Sequence, residues 1–157
     1  MKRNLFVKVL MVVLFCAVSV SVNAQNSAFS KGDMAANLGL GIGWRVGPAV
    51  SFEYGVADNL FNLDKATLGV GGYLGYALGN NNFIIGARGL FHYQFVDKLD
   101  TYGGVMIGFQ RWGGLAISPL FAGARYYFKE KMGVFAELAF YENYSIGYLN
   151  LGLALKF

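Results

Sequence analysis

The final thirteen residues, Ser145 to Phe157, read SIGYLNLGLALKF. Leu149, Leu151, Leu153, Leu155 and Phe157 recur at a spacing of two, with Ile146, Tyr148, Asn150, Gly152, Ala154 and Lys156 between them. A strict period of two is a strand signal, because successive side chains of an extended chain leave opposite faces. One face is greasy to the last residue. The other is small, mixed and polar.

The same alternation fills most of the chain upstream. Met34, Ala36, Leu38, Leu40, Ile42 and Trp44 oppose Ala35, Asn37, Gly39, Gly41 and Gly43, and a turn is expected at Arg45–Pro48. Val50, Phe52, Tyr54 and Val56 then oppose Ser51, Glu53 and Gly55, and Ala57–Lys65 is the longest connection. A third strand sets Leu68, Val70, Leu74, Tyr76 and Leu78 against Gly69, Gly71, Tyr73, Gly75 and Ala77. Gly79–Asn82 supplies turn residues that tolerate positive φ. In the fourth strand Phe83, Ile85, Ala87, Phe91, Tyr93 and Phe95 face away from Gly86, Arg88, His92 and Gln94. Beyond a turn at Asp97–Asp100, a fifth strand points Val105, Ile107 and Phe109 outward. In the sixth, Leu120, Ala122, Ala124, Tyr126 and Phe128 oppose Arg125 and Tyr127, but Pro119 and Gly113-Gly114 suggest a bulge and leave the upstream phase open. Met132, Val134, Ala136, Leu138 and Phe140 oppose Phe135, Glu137, Ala139 and Tyr141 in the seventh. With the terminal strand this makes eight.

Residues 1–24 read as a cleaved secretory signal peptide. Lys2, Arg3 and Lys8 precede an apolar core at Val9–Val18, and Val22-Asn23-Ala24 offers a small-residue cleavage site. The core is short for a membrane-spanning helix, which needs about 20 apolar residues. Cys16 follows Phe15 rather than the small residue a lipoprotein cleavage site requires. Residues 25–32 would be a short periplasmic tail and 33–157 the barrel. The leader holds three of thirteen basic residues and none of nine acidic ones, so the mature chain carries ten against nine, a net charge of +1. Nothing there calls for a nucleic-acid partner. The mature chain lacks Cys, which excludes disulfide and thiolate chemistry.

Two features favour a membrane barrel over a soluble sandwich. Strands of about 9–11 residues cross a bilayer when tilted, and several here are that long. The apolar face is also the one almost free of charge, whereas the opposite face is too small and polar for a soluble core. Of the nineteen charges in the mature chain, only Glu53, Arg88, Arg125 and Glu137 fall well inside strands, each opposite the apolar face. The other fifteen are expected at ends and tips, in reach of water. Hydrocarbon tolerates no open sheet edge, so the sheet must close. Eight strands leave a lumen just wide enough for side chains to fill, and inner glycines would make room there for Tyr73, Phe135, Tyr141 and Tyr148. With both termini periplasmic, Trp44, Trp112 and Tyr144 would form the outer aromatic girdle and Phe95, Phe128 and Phe157 the inner one.

The terminal strand, ending on Phe157, resembles the last strand of Gram-negative outer-membrane β-barrels. From about Asp33 to Phe157 the chain is similar to the small eight-stranded family of the OmpA transmembrane domain, OmpX and the opacity proteins, the porin-family outer-membrane β-barrels. The resemblance implies an all-β, antiparallel up-and-down transmembrane barrel in the cell outer membrane. It makes Leu149, Leu151, Leu153, Leu155 and Phe157 an insertion signal read by the barrel-assembly machinery after periplasmic chaperones. Outer-membrane lipids would be its surroundings, a monomer is expected, and no extracellular partner is indicated. Those relatives carry long surface loops, whereas the outer connections here are short. Adhesion and invasion functions are therefore not carried over.

The candidate chemistry lies in the lumen. Glu53, Arg88, Arg125 and Glu137 balance in sign and are expected to pair, because unpaired buried charge is costly. His92, four residues after Arg88 on the same face, would join them. Lipid A deacylases of this fold use a His, a Ser and a Glu on the lipid side, whereas His92 faces inward with no Ser at the matching spacing. Lone His92 and the missing Cys argue against zinc, and glycines around Gly69-Val70-Gly71-Gly72 precede no helix that could hold a phosphate. No catalytic residue, cofactor or metal is assigned. The expected function is a structural or surface-interaction role with a plugged lumen. Alternatives are a narrow porin-like channel and, from another class, a soluble lipocalin-like barrel holding an apolar ligand.

Overall fold

The computed structural model describes residues 28–140 and 148–157. The leader 1–24, Tyr141, Tyr144 and the short connection that the sequence implies between the seventh and eighth strands lie outside the described residues. Eight strands, β1 (Met34–Ile42), β2 (Val46–Asp58), β3 (Ala66–Ala77), β4 (Asn82–Val96), β5 (Leu99–Gln110), β6 (Gly114–Lys129), β7 (Met132–Phe140) and β8 (Leu149–Lys156), close in chain order into one barrel. Every neighbouring pair is antiparallel, and β8 returns to β1 with Leu38 opposite Leu153 and Ala35 opposite Lys156. The fold is therefore an all-β, up-and-down barrel of eight strands.

Turn chemistry sets the hairpins. Gly79 (φ 94°) and Asn81 (φ 52°) hold the left-handed conformations of the β3–β4 turn, and Lys98 (φ 64°) does so in the Asp97-Lys98 turn between β4 and β5. The turn expected at Arg45–Pro48 falls earlier. Residues 43–45 make it, with Gly43 N donating to Arg45 O at 3.0 Å, and Val46 already pairs with Ile42. Pro48 lies inside β2, opposite Leu40 of β1. The connection after β2 contains a short 3₁₀ turn, Leu60–Asn62.

The phase left open in β6 is settled by a bulge. Met106 pairs with Ser118 and Gly104 with Phe121, so Pro119 and Leu120 together oppose Val105. Both point outward and are exposed. The extra residue restores the alternation, placing Ala116 and Ser118 inward before the bulge and Phe121 and Arg125 inward after it. A Pro is tolerated at such a position because no ladder bond needs its nitrogen.

The two faces of the sheet differ sharply. Outward side chains include Leu40, Phe52, Val70, Leu74, Ile85, Val105, Ile107, Phe109, Leu138 and Leu153, all exposed. Between the two ends, no charged residue among those described points outward. Inward, the glycines give space as expected. A Cβ on Gly123 would come within 2.7 Å of the Tyr102 ring, and one on Gly69 within 3.0 Å of His92 Nε2. The interior is less uniformly polar than its sequence suggests, because Ile84, Leu90, Met106 and Phe121 form an apolar storey beside Tyr73 and Tyr102.

Residues 28–33 do not trail away from the barrel. Ala28 N donates to Gln94 Oε1 (3.0 Å), Lys31 N to Asp58 Oδ1 (2.7 Å) and Gly32 N to Gly55 O (2.8 Å), while Thr67 Oγ1 donates to Phe29 O (3.3 Å). These bonds lay the segment across the mouth at the end where the chain termini lie, and Phe29 is buried inside it.

Candidate functional site: the ionic lumen

Alternation delivers the site. Glu53 on β2, Arg88 and His92 on β4, Arg125 on β6 and Glu137 on β7 all occupy inward positions, and all are at most 3% exposed. Arg125 is the hub. Its Nε donates to Asn37 Oδ1 (2.9 Å), its Nη1 to Asp100 Oδ2 (2.7 Å) and its Nη2 to Glu53 Oε2. Three acceptors on three different strands thus use the planar fork of one guanidinium. The face of that fork lies 4.3 Å from the Tyr102 ring centre.

Arg88 forms the second centre. Its Nη2 lies 2.6 Å from Glu137 Oε1 and its Nη1 3.9 Å from Glu53 Oε1, and its Cζ stacks 3.8 Å over Phe121. Glu137 is fixed in turn by Tyr102 OH (3.1 Å) and by Asn150 Nδ2 (3.3 Å), and Asn150 Oδ1 accepts from Tyr73 OH (3.0 Å). Glu53 therefore links the two guanidinium centres into one network. Asn37 Nδ2 extends it to Ser51 Oγ (3.0 Å).

Asp100 corrects the expectation that every other charge would sit in reach of water. It is only 1% exposed and belongs to the network. β5 begins at Leu99, directly after the Asp97-Lys98 turn, so Asp100 takes an inward position opposite Arg125. The lumen thus holds three carboxylates against two guanidinium groups. His92 joins them, with Nδ1 at 3.0 Å from Asp100 Oδ1 and Nε2 at 3.7 Å from Glu53 Oε2. Phe29 stacks on this imidazole at 4.3 Å between ring centres. Nothing in the sequence around Phe29 signalled that contact, because it precedes the alternation.

The arrangement is suited to filling and neutralising a narrow interior. The groups placed against His92 are carboxylates and aromatic rings, with no serine or cysteine among them. Among the described residues, no cluster of His, Cys, Asp and Glu is set to hold a metal ion.

The remaining sequence-selected residues lie outside the lumen. Trp44 and Trp112 are exposed at the end opposite the termini, and Phe95 and Phe128 are exposed at the terminal end. Leu151 and Leu153 point outward on β8, with Leu149 and Leu155 less exposed at its ends. Phe157 follows β8, its N–H donating to Met34 O at 2.8 Å.

No family profile and no curated protein matches the chain. A solved structure from work on the de novo design of transmembrane β-barrels is similar to it, with a TM-score of 0.62 and 15% identity. The alignment covers 82% of this chain and 98% of the other. At that identity the likeness is one of fold, and the fold shared is that of a closed β-barrel.

Proposed function

We propose that this chain is an integral outer-membrane β-barrel with a structural or surface-interaction role, a plugged lumen and no catalytic activity. The observation that carries the reading is the inversion of polarity. Leucine, valine, isoleucine and phenylalanine cover the outside, while three carboxylates, two guanidinium groups and an imidazole are buried within. A soluble monomer rarely exposes a contiguous apolar patch beyond a few hundred Å², and a continuous apolar belt finds its natural solvent in acyl chains. A lipocalin-like carrier would need the opposite facing. Trp44 and Trp112 at one end, with Phe95 and Phe128 at the other, suit two interfacial girdles.

Export by the leader 1–24, delivery by chaperones and insertion through the Leu149–Phe157 strand complete the proposal, with the protein as a monomer among outer-membrane lipids. The plugged lumen is supported by Arg125, Arg88 and Phe121, which fill its cross-section, and by Phe29 at its mouth. Membrane fractionation combined with a heat-modifiability gel tests the reading. The protein should pellet with outer membranes and run at a shifted apparent mass until boiled. Recovery in the soluble fraction without detergent would overturn it. In planar bilayers the native barrel should give no sustained current, whereas Arg125→Ala or Glu137→Ala should give some.

A further inference from the structure

The lumen network leaves one charged feature of the molecule unexplained. Among the described residues, the end opposite the termini carries two charged side chains, Arg45 and Arg111, and no carboxylate. The terminal end instead mixes both signs, with Lys31, Lys65 and Lys98 near Asp33, Asp58 and Asp97. Arg45 and Arg111 are exposed, and each adjoins an exposed tryptophan in sequence, Trp44 (77%) and Trp112 (65%).

Both arginines rest on the same tight turn, residues 78–81. Arg45 Nη1 lies 3.1 Å from where a Cβ on Gly79 would stand, so the guanidinium packs closely on that glycine. From the other side Arg111 Nη1 donates to Asn81 O (3.3 Å), and Trp112 Nε1 donates to Asn80 O (3.1 Å). The Arg111 Cζ sits 4.9 Å over the Trp112 ring. Two cations without a carboxylate partner among the described residues are thus held on neighbouring turn positions. Immediately below them the apolar belt begins, with Ile42, Leu78, Phe109 and Leu115 exposed.

We infer that this rim docks the phosphate-bearing headgroup of an anionic membrane lipid, with Arg45 and Arg111 as its cationic ligands. The inference rests on the membrane reading above. Tryptophan rings settle at the headgroup level of a bilayer, which fixes the depth of the guanidinium groups beside them. A guanidinium matches phosphate geometry with two parallel donors. Basic side chains at that depth are attracted to anionic lipid within about a Debye length.

Trp44 and Trp112 are the only two tryptophans in the sequence, so intrinsic fluorescence reports the rim directly. The barrel is reconstituted into phosphatidylcholine vesicles containing a minor fraction of a bromine-labelled lipid, either phosphatidic acid or phosphatidylcholine. Native protein should favour the brominated phosphatidic acid by roughly thirtyfold in apparent affinity, the order expected for two cations at an anionic surface. Arg45→Gln/Arg111→Gln should bring the two quenchers to parity, while Arg45→Lys/Arg111→Lys keeps part of the preference. A heat-modifiability gel confirms that each variant is folded. Parity in the native protein, or an undiminished preference in the glutamine variant, would overturn the inference. Loss of the preference in excess inorganic phosphate would also overturn it, by assigning the rim to free phosphate. If neither brominated lipid quenches, the rim is not at a bilayer and the membrane reading falls too. Quenching by brominated phosphatidylcholine without selectivity removes the rim proposal alone.

Discussion

At the scale of single residues, Arg125 bears the most. It is fully buried and serves Glu53, Asp100 and Asn37 together. Removing one partner of a buried ion pair leaves uncompensated charge and typically costs about 3–5 kcal/mol. Arg125→Ala should therefore lower the unfolding free energy by roughly that amount, read from urea titrations in detergent or vesicles. An effect below about 1 kcal/mol, the range of an exposed pair, would mean that water already reaches these groups. Gly123→Ala tests packing instead of charge. The new methyl would meet the Tyr102 ring at 2.7 Å and the Ala136 carbonyl oxygen at 2.8 Å, and overpacking of this kind costs about 1–3 kcal/mol. The sequence revealed Glu53, Arg88, His92, Arg125 and Glu137 because each interrupts a small-residue face in mid-strand. Asp100 was hidden because closeness to a turn looks like closeness to water, although inward phase decides burial in a closed barrel. Phe29 was hidden for another reason: no periodicity surrounds it.

Among the elements, β6 shows how much register depends on one inserted residue. The other seven strands could be phased from alternation, because glycines fill the gaps in their apolar sets and the register shifts in β2 and β4 fall near the strand ends. β6 could not, since Pro119 and Leu120 put two outward residues in succession. Only pairing with Val105 across the ladder identifies the extra residue. This gives a sharp expectation for deletions. Removing Pro119 would leave Leu120 alone opposite Val105, with Ser118 and Phe121 still inward, and the barrel should still form. Removing Ala122, on a regular rung between Gly103 and Leu138, has no such outlet. A slip of one residue sends every side chain on one side of the cut to the wrong face, exposing Arg125 or burying Leu120. Heat-modifiability of the two deletion proteins should show a folded species for the first and little or none for the second. Equal folding of both would mean that the β6 ladder is far more permissive than its pairing indicates.

For the whole molecule, the decisive property is which solvent the outer belt meets, and the same substitution at two heights distinguishes the answers. Val70 is exposed near the middle of β3, paired with Tyr54 and Gly89, while Phe128 is exposed one residue from the end of β6. In a bilayer, arginine facing lipid costs about 2–4 kcal/mol at the midplane and about 0–1 kcal/mol near the interface. Val70→Arg should therefore destabilise the vesicle-inserted barrel by about 2–4 kcal/mol while Phe128→Arg changes little. Against water, both changes replace an exposed apolar group with a charged one and should be near neutral, within about 0.5 kcal/mol. A gradient with height thus reads the surroundings of the belt without assuming them. The gradient must also belong to the outside only. Arg88 and Arg125 also sit within strands, but they face the lumen, where Glu53, Asp100 and Glu137 meet them. Equal small effects at Val70 and Phe128 would place the belt in water and undo the membrane reading from the outside inward.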